Sequence, residues 1–135
     1  MAIDAAVAAY LRPSLPKSGL AFEPRAKSNS KEWVNARSAS RVAAMGAALG
    51  ASPVYHDSIY VCGRTPWSCN LLRNTAVLLA FSEPIVTGDK ATVHVERLTK
   101  TSYERIPVAR QRSDLNLVRT RTGWQVIGIG AVSES

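Results

Sequence analysis

The chain has 135 residues, 46% hydrophobic and 20% charged, with 8 glycines and 7 prolines, a composition that excludes collagen-like, low-complexity and disordered classes. A single domain over residues 1–135 is expected, because one core at this length buries roughly two thirds of the surface the unfolded chain exposes. Seventeen Lys+Arg against ten Asp+Glu leave a net charge of +7, which favours acidic partners, while apolar runs such as Ala76 to Phe81 fall far short of the roughly 20 residues a spanning helix needs.

Ile3, Val7, Tyr10 and Leu11 recur at i, i+4, i+7 and i+8, the spacing of one helix face, so a short helix begins near Asp4 and ends at Pro13. Asp4 also stands where a secretory signal would carry basic residues, and the chain reads either as cytoplasmic or as a processed product. Gly19 to Phe22 is a short strand halted by Pro24, and the polar stretch Arg25 to Lys31 is expected to be mobile. A second helix fits Ser38 to Leu49, with Ser38 as N-cap, Val42, Met45 and Leu49 on one stripe, and Gly50 then Pro53 as the stop. Trp33 and Val34, just upstream, are expected to anchor that helix to the core.

After Pro53 the period changes from helical to alternating. Ile59 to Val61 reads as a strand leading into Cys62, and Thr75 to Ser82 as an apolar strand ended by Glu83 and Pro84. Thr87 to Lys90 supplies turn chemistry, and Ala91 to Arg97 alternates apolar and polar residues. Ile106 to Arg119 is a longer strand with Leu115, Leu117 and Arg119 on one face and Asp114, Asn116 and Val118 on the other. Thr120 to Gly123 turns the chain into a last strand, Trp124 to Val132. Helices first and hairpin-linked strands afterwards predict an α+β fold, two N-terminal helices packed on a curved antiparallel sheet of about four to five strands.

Cys62 and Cys69 bracket a loop rich in turn residues. They read as one local disulfide, which contributes about 2.5 kcal/mol in the chain-entropy model and implies a periplasmic or secreted setting, or else as two reduced thiols in a cytoplasmic protein. The spacing is not that of zinc ligands, and neither His56 nor His94 completes a quartet, so no metal and no other cofactor is expected.

Three segments, Glu83 to Val95, Asp114 to Arg119 and Thr122 to Ile127, together resemble consecutive sheet strands of the cystatin-like cone of the nuclear-transport-factor-2-like superfamily, including a Gly-Asp turn and a Gly-Trp hairpin. The resemblance covers about the C-terminal half. It implies a pocket between sheet and helices where some members place an Asp, His or Tyr for isomerase, hydratase or cyclase chemistry, and the matching candidates are His94, Asp114 and Tyr103.

The residues themselves argue against catalysis. Alternation puts His94 beside Thr92 and Glu96 on the polar side, Asp114 is flanked by Arg110 and Arg112 as an ion-paired residue would be, and Tyr55-His56-Asp57 lacks a nucleophile motif. No nucleophile elbow or phosphate-cradling glycine loop occurs. Basic residues crowd the stretch from Arg97 to Arg121, so Arg97, Arg110, Arg112 and Arg119 are expected to lie exposed on the sheet as a basic face. Arg64 and Trp67, on the cysteine loop, are the expected recognition tip, and Trp124 a core residue. The composite expectation is a non-catalytic accessory or interaction domain that binds a protein or other acidic partner through that face and loop. A cone-type pocket protein and a nucleic-acid binder are the alternatives, the latter without a recognition motif.

Overall fold

The structure is a computed structural model that describes residues 2–27, 33–65, 68–72, 74–101 and 107–134. Helix α1 (Ala2–Leu11) passes into one 3-10 turn, Arg12–Ser14, where Pro13 lacks the amide that further helix would use. Next come β1 (Leu20–Phe22), β2 (Arg25–Lys27), β3 (Trp33–Ala36), α2 (Ala39–Leu49), β4 (Ser52–Pro53) and a single helical turn, α3 (His56–Ile59). The rest is strand: β5 (Tyr60–Cys62), β6 (Cys69–Leu71), β7 (Val77–Phe81), β8 (Ile85–Thr87), β9 (Lys90–Lys100), β10 (Val108–Thr120) and β11 (Gly123–Glu134). Helix α2 is delimited by the residues that its sequence advertises. The Ser38 hydroxyl accepts the Arg41 amide at 3.3 Å, and Gly50 ends the helix at φ 68°.

The α+β class stands, but the sheet is larger than four to five strands and it is mixed. Seven strands run in the order β11-β10-β9-β7-β1-β4, with β8 sharing the β7 side of β9. Strand β1 is parallel to both β4 and β7. Pro24 denies it a local hairpin, and its three residues are all buried, the pattern of a strand covered on both faces. Gly19 makes the approach possible: it has φ +73°, and a Cβ there would stand 2.7 Å from the Asn74 carbonyl oxygen, so only glycine fits. The segment expected to be mobile is partly ordered, since Arg25–Lys27 pairs with β3 and buries Ala26. Residues 28–31 and the side chains of Trp33 and Val34 lie outside the described set.

Alternation along the long strands sorts the molecule into two layers. Val93 and Val95 of β9 and Leu115 and Leu117 of β10 share one core with Ile3 and Val7 of α1 and Met45 and Leu49 of α2. The opposite face carries a smaller core of Ala21, Leu71, Leu78, Leu98 and Val108, against which Val54, Ile59 and Tyr60 pack. Between helices and sheet, Val7, Met45, Leu49, Phe81 and Val93 among others line a cavity of about 10 Å³, no more than one water needs. Charge locks the helical layer: Arg41 Nε donates to Asp4 at 2.7 Å, and its Nη1 donates to Glu83 beyond β7 at 2.9 Å. Arg37, also buried, donates to the Phe81 carbonyl at 3.0 Å.

Candidate functional site

The polar face of the sheet is built by register. In the β9–β10 pairing Thr92 stands opposite Asn116, His94 opposite Asp114, and Glu96 opposite Arg112, and directly opposed residues share a face. The result is a ladder of polar pairs. Thr92 Oγ1 donates to Asn116 Oδ1 at 3.3 Å, and the Asp114 carboxylate lies 2.5 Å from His94 Nδ1. Glu96, only 5% exposed, faces Arg110 Nε at 3.2 Å and Arg112 Nε at 3.5 Å and is also paired with Lys27 from β2. The Ser82 hydroxyl accepts the His94 amide at 2.9 Å, which fixes the backbone that carries the imidazole.

This ladder holds an imidazole by its Nδ1 and leaves the ring's other nitrogen without a hydrogen-bond partner among the described residues. Such a carboxylate–imidazole pair is the orienting half of acid–base machinery. Among the described residues no group of three His, Cys, Asp or Glu side chains is placed to hold a metal ion.

The four arginines expected on one basic face are divided between two. Arg110 and Arg112 lie on the polar face, whereas Arg97 and Arg119 have the opposite parity and point to the helical side. Arg97 Nη2 donates to the Ser14 carbonyl at 2.9 Å, and the Arg119 guanidinium stacks 5.1 Å from the Trp124 ring. Trp124 itself packs half-buried against the helix-side core. Asp114 is ion-paired with His94 and not with its flanking arginines, because i±2 neighbours on one strand lie farther apart than a directly opposed pair.

Cys62 and Cys69 face each other across the β5–β6 hairpin with sulfurs 2.12 Å apart, at disulfide distance. Gly63 permits the turn that follows, since a Cβ there would meet Ser68 Oγ at 2.6 Å. Arg64 is exposed on this loop; Trp67 and Tyr103 lie outside the described residues. Tyr55-His56-Asp57 is not extended: His56 and Asp57 begin α3, and their side chains approach to 3.6 Å. Burial pushes the His56 pKa down in spite of Asp57, and its ring stacks 4.7 Å from that of Tyr60.

Sequence reasoning passed over Glu96, Lys27 and Glu23. Glu23 is fully buried; its carboxylate accepts the Arg25 amide at 2.8 Å and the His56 amide at 2.9 Å, so that it caps α3 from the link between β1 and β2. Parity was the available signal for Glu96, which repeats the face of His94. Lys27 carries no local signal, because its partner Glu96 comes from a distant strand, and Glu23 is only half local, paired with Arg25 two residues on and with the distant His56 amide. Parity would also have separated Arg119 from Arg110 and Arg112 on the same strand. Among the described residues no helix is long and apolar enough to cross a membrane. Compared with protein-family models, with curated proteins and with solved structures, the chain matches none.

Proposed function

We propose that the chain is a non-catalytic interaction domain, an accessory part of a larger extracytoplasmic assembly, that docks an acidic protein partner on the polar face of its sheet. The observation that carries this reading is the continuity of that face with the cysteine hairpin. Arg110 Nη2 donates to the Tyr60 hydroxyl of β5 at 3.3 Å, and Tyr60 belongs to the hairpin whose loop presents Arg64. Arg110, Arg112 and Arg64 are thereby carried on one side of the molecule, and a loop shortened by a crosslink has less freedom to lose on binding.

The cone resemblance would direct a small ligand to the space between helices and sheet. The cavity lined there by Val7, Met45, Leu49, Phe81 and Val93 has about 10 Å³, far below the few hundred Å³ of ordinary ligand pockets. The His94–Asp114 pair is the one feature favouring chemistry, and it lies on the opposite face.

The test is fluorescence anisotropy with a labelled acidic peptide. Affinity should fall steeply between about 50 and 200 mM salt, because exposed charge pairs are screened over that range. Affinity indifferent to salt would overturn the reading.

A further inference from the structure

Glu96 gathers three cations around one buried carboxylate, whose Oε2 nevertheless makes no hydrogen bond among the described residues. Lys27, Arg110 and Arg112 all converge on it. Arg110 Nε lies 3.2 Å from Oε1, yet it is buried without a hydrogen bond. Arg112 approaches only through Nε, at 3.5 Å, and its two terminal amino groups have no acceptor among the described residues. A guanidinium fork of this kind matches the two oxygens of a carboxylate edge-on.

One step along the ladder stands His94. The register makes Arg112 and His94 a diagonal pair on the same face, a spacing of about 7–8 Å between their backbones that one oxyanion can bridge. The His94 side chain is 37% exposed and its Nδ1 is held by Asp114, which leaves Nε2 for a ligand. Beside Asp114 the neighbouring strand carries a glycine: a Cβ built on Gly130 would stand 3.1 Å from Asn116 Nδ2 and 3.6 Å from Asp114 Cβ, so no side chain at that position covers the carboxylate that holds His94.

We propose that Arg112 and His94 form a seat for one carboxylate of the acidic partner. Arg112 donates both Nη groups, and His94, with its Nδ1 held by Asp114, offers Nε2 to the same carboxylate. The seat rests on the interaction reading above and adds to it a point of recognition, where the other arginines supply only diffuse attraction. The carboxylate belongs to a protein side chain, because the site is an open, shallow row suited to an extended segment.

The experiment titrates the full chain with a short N-acetylated polyglutamate peptide, with melting temperature as the folding control. Arg112→Gln and His94→Gln should each weaken binding about tenfold, and Arg119→Gln, on the opposite face, should change it less than about twofold. Arg112→Lys keeps the charge beside Glu96 without the fork, so it tests the seat even if Arg112→Gln fails to fold. It should bind more weakly than the parent. If the parent binds the peptide and His94→Gln and Arg112→Lys bind it equally well, the seat is lost and the interaction reading stands. If the parent binds heparin and not the peptide, the carboxylate seat is overturned in favour of a sulfated polysaccharide. If it binds neither polyanion, both readings fall.

Discussion

Asp4 shows how a single side chain carries both architecture and pH response. Burial by itself raises its pKa, but the Arg41 hydrogen bond and the nearby positive charges outweigh burial and hold the carboxyl below its usual value. Folded Asp4 therefore binds a proton less readily than unfolded Asp4. Its contribution is complete above the ordinary carboxylate value, about pH 4, and is lost as pH falls toward the folded one. His56 acts earlier in the same direction. Because burial depresses its pKa, the unfolded state takes up the proton first, and stability declines as pH drops through about 6.5. Urea midpoints measured from pH 8 to pH 3 should show two descents, the first removed by His56→Gln and the second by Asp4→Asn. At neutral pH Asp4→Asn should cost about 1.5–3 kcal/mol, the range for a hydrogen bond to a charged group. A stability flat between pH 8 and 5.5 in the parent chain would contradict the role assigned to His56.

Elements were legible where their own sequence decides them. Helix α2 carries period, cap and stop and α1 period and stop, and β9 and β10 alternate where Val93, Val95, Leu115 and Leu117 are buried, whereas Ile127 and Ile129 of β11 are exposed and Glu96 of β9 is buried. Strands β4 and β8 are short pieces that become strands only by lying against a neighbour, and β2 is polar at both ends because Glu23 and Glu96 supply its partners. The ladder was half legible: residue parity placed His94 and Glu96 on one face, but the identity of each cross-strand partner depends on register, which only the pairing of β9 with β10 determines. The β5–β6 hairpin was visible through its cysteines. Alkylation of the native, unreduced chain should leave its intact mass unchanged, and two added alkyl groups would refute the crosslink. Reduction should lower stability by about 2.5 kcal/mol in the chain-entropy model.

On the scale of the whole molecule, one sheet separates two kinds of surface. Its helical side carries the larger apolar core, with Arg97 and Arg119 at its edge, and its other side is partly covered by the hairpins and partly polar. The parallel strand β1 has a consequence for how this arrangement is assembled in time. Strands β9, β10 and β11 pair with sequence neighbours, so the meander closes only short loops, whereas β1 joins Leu20 to Val77 and Ala21 to Ser52. Closing long loops costs more chain entropy before any contact rewards it. The meander is therefore expected to form the folding nucleus and β1 to dock last. Folding and unfolding rates read this order. Leu117→Ala in β10 should slow folding, while Phe22→Leu in β1 should mainly speed unfolding, and the reverse pattern would place the nucleus at the parallel strands. What docks last is also what leaves first, so opening should begin at β1 and its neighbour β4 while the polar ladder on β9 and β10 keeps its shape.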